Sequence, residues 1–557
     1  MYVVGISSFY HDSSVCLFKN GTLIFACEEE KFTGIKHDSS FPKNAVSYIT
    51  RKYKLTKENV STVCYYEDPK LKRKRVVEYS KKTFFNKPIF SIKNYLTFLK
   101  NVKTLKEELN KISNNIFYST HHHSHLYYSA FSSPFNESAV VSIDGVGEYD
   151  TSTISYYQKD KLVVEEVSKY PHSLGLFYSA MTSFLGFKPN EGEYKLMGLA
   201  PYGKKTDMVD SVSKLVKFED GKIINDLNYF EWYKSDKVMF NYNLSELLGM
   251  LPRTSNEEIT QKHKNLAFAV QHVYENVFFE LLRHVQNKYK TTNICLGGGC
   301  AYNGSANGKI YYRTSFRNVW IPPAPSDAGS CIGAVINYYV NNGKIPTIPQ
   351  TPFLGPSFQI NTQFKTNLTR RNFIYVTDDN LYRLVAKEIQ RGKVVGWFRD
   401  EIEFGARALG NRSILADPTD PNMKDRINRM VKRREGFRPF APMVTKERQH
   451  EFFETNDDIP YMNQVVRVKD EYRNKLVSVT HVDGTARVQT VQKDKSIYRL
   501  LREYESITGY PILLNTSFNV KDKTMVLTPQ QALTTFDEVD IDVLVLQNFI
   551  IFKNRKK

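Results

Sequence analysis

Short apolar runs joined by polar turns open the chain and predict an antiparallel β-meander. The apolar runs cover 1–8, 15–18 and 23–27, and the turns lie at 11–14 and 20–21. The same strand, turn and strand pattern recurs over 139–157, with its turn at 144–147. This repetition predicts two related subdomains that face a cleft.

Apolar positions spaced by three and four residues predict a long buried helix over 261–289. A strand follows at 293–296 and leads to a glycine-rich turn at 297–303. Such glycines let the backbone approach a nucleotide closely, although many glycine-rich turns are only tight turns. The stretch 190–198, which contains Gly192 and Gly198, is predicted as a loop.

A proline-rich stretch separates two predicted domains. Residues 346–358 contain four prolines and little apolar periodicity, which is typical of a linker. We therefore expect a first domain over 1–345 and a second over 359–557. The second domain opens with a predicted helix at 380–391 and a strand at 394–398.

Composition places the chain among globular proteins. Its 557 residues, 41% of them hydrophobic, suit two or three domains. The first residues lack the pattern of a signal peptide, and no apolar run reaches the roughly 20 residues of a membrane span. The six cysteines are scattered without a Cys-x-x-Cys pair, which favours reduced core thiols. We expect a cytoplasmic protein without a membrane partner, and the sequence leaves a homodimer open.

The chain carries a formal net charge of +18, with basic clusters at 70–75, 432–434 and 553–557. A positive field of this size favours anionic ligands such as phosphates, nucleotides or nucleic acid. The charge does not choose among them. The alternative is that the outlying clusters are solvated surface, as charge runs usually are.

The spacing of two histidines indicates a metal site. His121 and His125 stand four residues apart, so a helix would project both imidazoles from one face. Asp144 at a strand end and Asp327 could add oxygen ligands, and such a mixed set suits Fe(II), Mn or Zn. A histidine-rich tract without a metal is the alternative. His122 and His123 point elsewhere on a helix and are not predicted as ligands.

The predicted second domain concentrates cations and strand-end polar groups that suit phosphate. Planar guanidiniums bind phosphate through two hydrogen bonds, and hydroxyl and amide groups can bind its other oxygens. The alternative is that the arginines form structural ion pairs. The candidates lie in 403–413, in 432–442, at Arg487 and in 513–519.

Taken in chain order, ten segments resemble the NodU/CmcH/TobZ family of ATP-dependent O-carbamoyltransferases, which are nebramycin synthetase-like enzymes. The segments span nearly the whole chain and lie at 10–14, 31–37, 121–125, 142–147, 171–178, 192–203, 297–303, 403–417, 434–442 and 513–519. The chain departs from the family pattern at Cys300 and Tyr302 in the glycine loop, and at Ala406, where proline is usual.

The resemblance implies an α/β protein with two domains. The N-terminal domain is expected to be actin/sugar-kinase-like, in the threonylcarbamoyl transferase branch, and the C-terminal domain to be YrdC-like. The C-terminal domain would make carbamoyl adenylate from carbamoyl phosphate and ATP with Mg. The N-terminal domain would transfer the carbamoyl group to the hydroxyl of a small-molecule acceptor, beside Fe(II) or another divalent metal.

The resemblance also implies residue roles. The metal ligands are His121, His125, Asp144 and Asp327, and the catalytic residues are His11 and Lys36. His11 would act as a base, or would only hydrogen bond within its turn. Nucleotide binding in the transfer domain is expected at Gly145, Gly147, Gly298, Gly299 and Asn303. Binding of carbamoyl phosphate and ATP is expected at Arg407, Arg412, Ser413, Lys432, Arg438, Arg487, Asn515 and Ser517.

Two other functions are consistent with the same residues. A carbamoyl or threonylcarbamoyl transferase that acts on a nucleotide or nucleic acid gains weight from the +18 charge, and would bind tRNA or DNA in a salt-sensitive way. A non-catalytic metal- or nucleotide-binding module is the second, although such a module need not retain the full set of charged residues. A sugar kinase would not need the arginine-rich second domain.

Overall fold

The computed structural model describes residues 1–84, 88–235, 238–369, 371–455 and 457–553, and the chain divides into two compact units. The first unit comprises Met1–Glu29, His37–Ala306 and Ile310–Gln350, and the second comprises Glu30–Lys36, Asn307–Lys309 and Thr351–Lys557. The units are therefore not continuous in sequence, in contrast to the expected domains. Of the basic tail, 554–557 lie outside the described residues.

The first unit contains two five-stranded sheets with the same topology. In each sheet a three-stranded antiparallel meander is extended by two parallel strands, in the orders β3-β2-β1-β4-β5 and β8-β7-β6-β11-β12. The predicted repetition of the strand, turn and strand pattern is thereby confirmed. The strands of this unit are β1 (Tyr2–Ser7), β2 (Ser14–Lys19), β3 (Thr22–Glu28), β4 (Val60–Tyr65), β5 (Ile116–Tyr118), β6 (Glu137–Ile143), β7 (Asp150–Gln158), β8 (Lys161–Lys169), β9 (Val216–Glu219), β10 (Lys222–Asn225), β11 (Asn293–Gly297) and β12 (Asn318–Trp320).

The second unit is built on one mixed eight-stranded sheet of order β13-β23-β22-β14-β15-β21-β16-β20, with a three-stranded sheet β17-β18-β19 beside it. Successive side chains of a strand point to opposite faces, so Trp397 and Phe398 enter two different apolar clusters, as do Leu513 and Leu514. The strands are β13 (Asn372–Tyr375), β14 (Val395–Phe398), β15 (Arg412–Ala416), β16 (Ala441–Thr445), β17 (Phe453–Glu454), β18 (Val465–Val468), β19 (Thr485–Arg487), β20 (Gln489–Val491), β21 (Ile512–Ser517), β22 (Val543–Leu546) and β23 (Phe549–Phe552).

Helices cover the sheets of both units, and the predicted helix over 261–289 is confirmed in full. The helices are α1 (Glu30–Thr33), α2 (Lys43–Tyr53), α3 (Pro69–Phe84), α4 (Pro88–Ile112), α5 (His121–Phe131), α6 (Leu174–Phe184), α7 (Glu193–Leu199), α8 (Met208–Ser213), α9 (Tyr242–Leu248), α10 (Gln261–Tyr289), α11 (Gly304–Asn307), α12 (Ile310–Arg313), α13 (Asp327–Asn341), α14 (Thr362–Leu368), α15 (Asp378–Gln390), α16 (Met423–Arg426), α17 (Gln449–Phe452), α18 (Asp470–Arg473), α19 (Ser496–Thr508) and α20 (Pro529–Glu538).

The predicted loop over 190–198 was wrong, because α7 occupies most of it. Gly192 only precedes this helix, and Leu196 and Leu199 bury their side chains where α7 packs against α10. Tertiary burial here outweighs the weak helix propensity of Gly198. All six cysteines are free thiols, as predicted, and five of them are buried. Among the described helices, none is both long and apolar enough to cross a bilayer.

Candidate metal centre and anion site

Four side chains that are distant in sequence meet in the first unit. Helix α5 presents His121 and His125, Asp144 follows the end of β6, and Asp327 begins α13. All four residues are buried, with exposed fractions between 0% and 8%. The structure thus brings together the four predicted metal ligands, and it leaves His122 and His123 out of the group.

The spacing of the ligand atoms fits a divalent metal. The Nε2 atoms of the two histidines lie 3.1 Å apart, and each lies 2.9–3.5 Å from an oxygen of Asp144 and of Asp327. A metal at about 2.1 Å from four tetrahedral ligands would set those ligands about 3.4 Å apart. Asp327 Oδ2 is buried without a hydrogen-bond partner among the described residues, which leaves it available to a cation.

Surrounding groups fix the orientation of these ligands, as supporting hydrogen bonds commonly do in metal sites. Ser330 Oγ lies 3.1 Å from Nδ1 of His125, and the main-chain N of Gly299 donates to Oδ1 of Asp144 at 3.1 Å. The carboxylate of Glu148 accepts from the main-chain N of His121, at the beginning of α5.

The two carboxylates of this group raise the pKa values of its two histidines. Burial opposes a charged imidazole, but hydrogen bonds and charges from Asp144 and Asp327 raise the pKa of His125 to about 9. Burial would raise the pKa of Asp144, but hydrogen bonds from His121 and His125 hold it well below its ordinary value. A metal must displace the proton that this raised pKa favours on His125, so we expect metal affinity to rise with pH.

Close packing of two helices holds the site together. A Cβ atom at Gly333 of α13 would lie 1.7 Å from the main-chain oxygen of Ser124 on α5. Only glycine allows this approach, and it brings Asp327 on α13 to the two histidines on α5.

Replacement of Gly333 by alanine is therefore expected to force α13 away from α5. We expect a loss of about 1–3 kcal/mol in the free energy of unfolding and a loss of at least about tenfold in metal affinity. Chemical denaturation and metal titration measure the two effects. Asn341→Ala, at an exposed position of the same helix, is the control and should change stability by less than about 0.5 kcal/mol. Unchanged values for Gly333→Ala would contradict this role.

The predicted nucleotide-binding glycines lie around the metal group. Gly145 and Gly147 follow Asp144 directly, and Gly298 and Gly299 form the turn after β11. Gly298 has a φ of 82°, and a Cβ atom there would lie 2.2 Å from the main-chain oxygen of Ile143, so this turn requires glycine. The Asn303 side chain is buried and bonds to Gln271 and to the main chain of Ala306.

The two predicted catalytic residues fall in different units, His11 in the first and Lys36 in the second. His11 Nδ1 lies 2.9 Å from Oδ2 of Asp12, whose other oxygen lies 2.6 Å from Nδ1 of His37. Burial opposes its charge, but Asp12 raises the pKa of His11 to about 10. His11 is thus protonated at neutral pH, which favours the hydrogen-bonding alternative over a ready base.

A cavity of about 420 Å³ lies beside the metal group in the first unit. Helices α3 and α4 line it, and its other walls are rich in aromatic rings, among them Tyr10, Tyr65, Tyr170 and Trp232. Tyr10 connects the cavity to the metal group, because burial and the carboxylates of Asp144 and Asp327 raise the pKa of its phenol. The cavity was not predicted from the sequence, because α3 and α4 carry no recognised motif and only Tyr10, Val146 and Leu176 of the lining lie in the family segments.

Four guanidinium groups form a cluster in the second unit. Burial, together with Arg407, Arg434 and Arg438, holds the pKa of Arg487 well below its ordinary value. Arg434, which lies in the candidate segment 432–442, donates to Asn428 Oδ1 at 2.8 Å. Glu435 lies 3.4 Å from Arg438. Guanidinium groups that lie close together and are partly buried repel one another, so binding of a ligand with several negative charges is favoured.

Neighbouring strands supply buried polar atoms without partners among the described residues: Ser413 Oγ, Asn515 Oδ1 and Arg487 Nε. Ser413 pairs with Ser517 in the β15–β21 ladder. The amide of Asn515 donates to Gln489, two residues after Arg487. Buried polar atoms are nearly always bonded, so such a set indicates a ligand.

Two predicted phosphate contacts have other roles in the structure. Arg412 is fully buried; it donates to the main-chain oxygens of Arg399, Asp400 and Asn411 and stacks on Phe398. Because the guanidinium of Arg412 is bonded to these main-chain oxygens, the structure gives no support to the prediction that it binds phosphate.

Lys432 is also buried, and its ammonium donates to oxygens of Ser517 and Asn519. Burial and the charges of Arg434, Arg438 and Lys36 hold its pKa well below its ordinary value. Lys432 therefore anchors the strand end, and Lys36 lies near enough to add to the cationic cluster. The burial of Arg412 and of Lys432 could not be inferred from local sequence.

Comparison with known proteins identifies the family of the chain. Residues 2–336 match the family model described as carbamoyltransferase N-terminus, and residues 386–553 match that of the carbamoyltransferase C-terminus. The nodulation protein NolNO of Sinorhizobium fredii is 33% identical, over 98% of this chain and 80% of its own length. The uncharacterized protein sll1178 of Synechocystis is 36% identical, over 99% and 97% of the two chains.

Similarity to solved structures is weak. The ROK hexokinase of Thermus thermophilus covers 60% of this chain and 98% of its own, with 10% identity and a TM-score of 0.29. Component A of (R)-2-hydroxyglutaryl-CoA dehydratase from Acidaminococcus fermentans covers 62% and 100%, with 13% identity and a TM-score of 0.34. Scores this low carry no argument about the fold, and the described strands and helices establish a mixed α/β architecture.

Proposed function

Because the chain belongs to the carbamoyltransferase family, we propose that it makes carbamoyl adenylate from carbamoyl phosphate and ATP and transfers the carbamoyl group to an acceptor hydroxyl of a small molecule. The family supports carbamoyl transfer in general. The observation that carries the finer proposal is that Arg407, Arg434 and Arg438 lie near enough to Arg487 to help burial lower its pKa, and such a group of cations favours a ligand with several negative charges.

The first reaction belongs to the second unit. One water, carbamoyl phosphate and ATP give carbamoyl adenylate, phosphate and pyrophosphate, so every participant other than water carries phosphate oxygens. The arginine cluster would bind these oxygens and stabilise the charge that moves onto pyrophosphate. Asn515 and Ser413, whose buried oxygens have no partner within the described part of the chain, would orient the amide of the carbamoyl group.

The second reaction belongs to the first unit. The acceptor oxygen attacks the carbamoyl carbon, the bond from that carbon to the oxygen of AMP breaks, and the hydroxyl proton passes to a base. A divalent metal held by His121, His125, Asp144 and Asp327 would act as a Lewis acid on the carbamoyl or phosphate oxygen. The cavity lined by Tyr10 has room for an acceptor beside this group.

His11 would serve the transfer in its protonated form. An imidazolium with a pKa of about 10 can donate a proton or a hydrogen bond to the departing phosphate of AMP at neutral pH. Asp12 would keep His11 charged and oriented, because it contacts Nδ1 and leaves Nε2, which now contacts the main chain of Asn190, as the other donor.

The experiment that tests the proposal incubates the metal-loaded protein with ATP, Mg and carbamoyl phosphate, without acceptor. Mass spectrometry should find carbamoyl adenylate, together with released phosphate and pyrophosphate. Arg407→Ala should abolish the adenylate, whereas His121→Ala should spare it, because the two sites lie in different units. If no adenylate forms and the protein instead binds tRNA or DNA tightly at low salt, the nucleic-acid alternative replaces this proposal.

A further inference from the structure

Helix α4 exposes a stripe of large aliphatic side chains in the first unit. Ile89, Ile92, Leu96 and Leu99 are 82%, 50%, 58% and 38% exposed. Their spacing of three, four and three residues places them on one face of the helix. We call these four residues the α4 stripe. Contiguous apolar surface of this kind usually marks an interaction site.

The stripe is not needed to hold the helix in place. Phe98, Leu105 and Leu109 on other positions of α4 are buried, and α3 packs against α4. Arg73 on α3 also donates to the hydroxyl of Tyr95 on α4 at 3.2 Å. The helix is thus anchored by its inner face, and the fold does not explain the exposed aliphatic residues.

The surroundings of the stripe are strongly basic. The segment 69–112 holds thirteen lysines and arginines against three glutamates, which accounts for more than half of the net charge of the chain. On α4 itself, Lys93, Lys100 and Lys103 are exposed, and 88–103 contain no acidic residue. Helical geometry places Lys93 and Lys100 along one edge of the stripe and Lys103 one turn beyond Leu99.

An aliphatic stripe bordered by lysines has the chemistry of a helix that lies in the surface of a bilayer. The aliphatic side chains would enter the boundary between headgroups and acyl chains, while the lysines extend to anionic headgroups. A second copy of the chain is disfavoured as the occupant, because two such basic surfaces repel. Nucleic acid would use the lysines but not the aliphatic residues.

We propose that the α4 stripe and its lysines form a docking surface for membranes rich in anionic lipid. This peripheral binding does not depend on the proposed carbamoyl transfer. It replaces our expectation of no membrane partner, which rested on the lack of a spanning segment and therefore did not address a helix that lies on the surface.

Flotation of the full chain with vesicles tests the proposal. Vesicles of phosphatidylcholine alone are compared with vesicles of equal parts phosphatidylcholine and phosphatidylglycerol. We expect the protein to float only with the anionic vesicles. The double variant Ile92→Ser, Leu96→Ser should weaken binding on the order of 100-fold, as two large aliphatic groups leave the lipid boundary. Lys93→Glu, Lys100→Glu should weaken it to a similar extent.

Val163→Ser, at an exposed valine of β8, is the matched control and should float like the wild type. All substituted residues are exposed, and circular dichroism and melting temperature confirm that the variants fold. The proposal is overturned if anionic vesicles do not bind the protein, or if the double serine variant binds them as well as the wild type does. It is also overturned if light scattering shows a dimer that the serine substitutions dissociate.

Discussion

Replacement of His125 by alanine is expected to abolish metal binding. Its Nε2 atom lies within 3.4 Å of His121, Asp144 and Asp327, so its loss removes one ligand and the positive charge that these carboxylates face. Inductively coupled plasma mass spectrometry should find about one metal per chain in the wild type and less than about a tenth of that in the variant, since three remaining ligands leave an incomplete site. Carbamoyl transfer to an acceptor should fall with the metal content.

The same substitution should also destabilise the metal-free protein. Two buried carboxylates would lose a partner that is charged below a pKa of about 9. Breaking a buried pair in this way costs about 3–5 kcal/mol. The stabilisation from His125 is present below the ordinary histidine pKa and is lost as the pH rises through about 9, so the difference in unfolding free energy should shrink toward alkaline pH. Denaturant titrations with a chelator at several pH values measure it.

The control for both measurements is His123→Ala. His123 lies on the same helix but outside the metal group, and its side chain is partly exposed. It should retain the metal and change stability little. Full metal content in His125→Ala, or an equal loss in His123→Ala, would show that the four buried residues do not form the site.

Substitution of Arg487 by methionine is expected to abolish adenylate formation while stabilising the free protein. The pKa of Arg487 is lowered by burial and by its neighbours Arg407, Arg434 and Arg438, so its charge is unfavourable without a ligand. Removal of that charge should add about 1 kcal/mol to the free energy of unfolding, in keeping with the stability cost that functional sites commonly carry. Adenylate formation should fall by about 100-fold or more, as for the loss of one donor to a developing charge.

Thermal shift with pyrophosphate separates a binding role from a structural one. Pyrophosphate should raise the melting temperature of the wild type by relieving repulsion within the cluster, and it should have little effect on Arg487→Met. Arg467→Met, at an exposed arginine on the adjacent strand β18, is the matched control and should respond like the wild type. A destabilised Arg487→Met that still responds to pyrophosphate would show that Arg487 supports the fold instead.

Local sequence was sufficient to predict several of the elements that carry or surround the candidate metal ligands. The helical period alone places His121 and His125 on one face of a helix, and α5 contains both residues. The repeated meander and the helix α10 also follow from periods of two and 3.6 residues. Asp144 and Asp327 were proposed from the sequence as the oxygen ligands, and the structure brings all four residues together.

Local sequence was insufficient where burial depends on distant segments. Arg412 and Lys432 have the same appearance in sequence as Arg407 and Arg487, yet main-chain oxygens from other strands and loops surround the first two. The exposure of the α4 stripe could not be predicted from local sequence either, because a buried helix face has the same periodicity of apolar residues.

The sequence by itself therefore determined the periodic strands and helices, the metal-ligand spacing on α5 and the family. Only the tertiary structure decided that Asp327 reaches the histidines, because this requires the close approach of α13 to α5 at Gly333. It alone also decided which cations are bonded to main-chain oxygens and which lie close to one another. The physical reason is that periodicity acts over a few residues, whereas desolvation and repulsion depend on groups that folding brings together from distant parts of the chain.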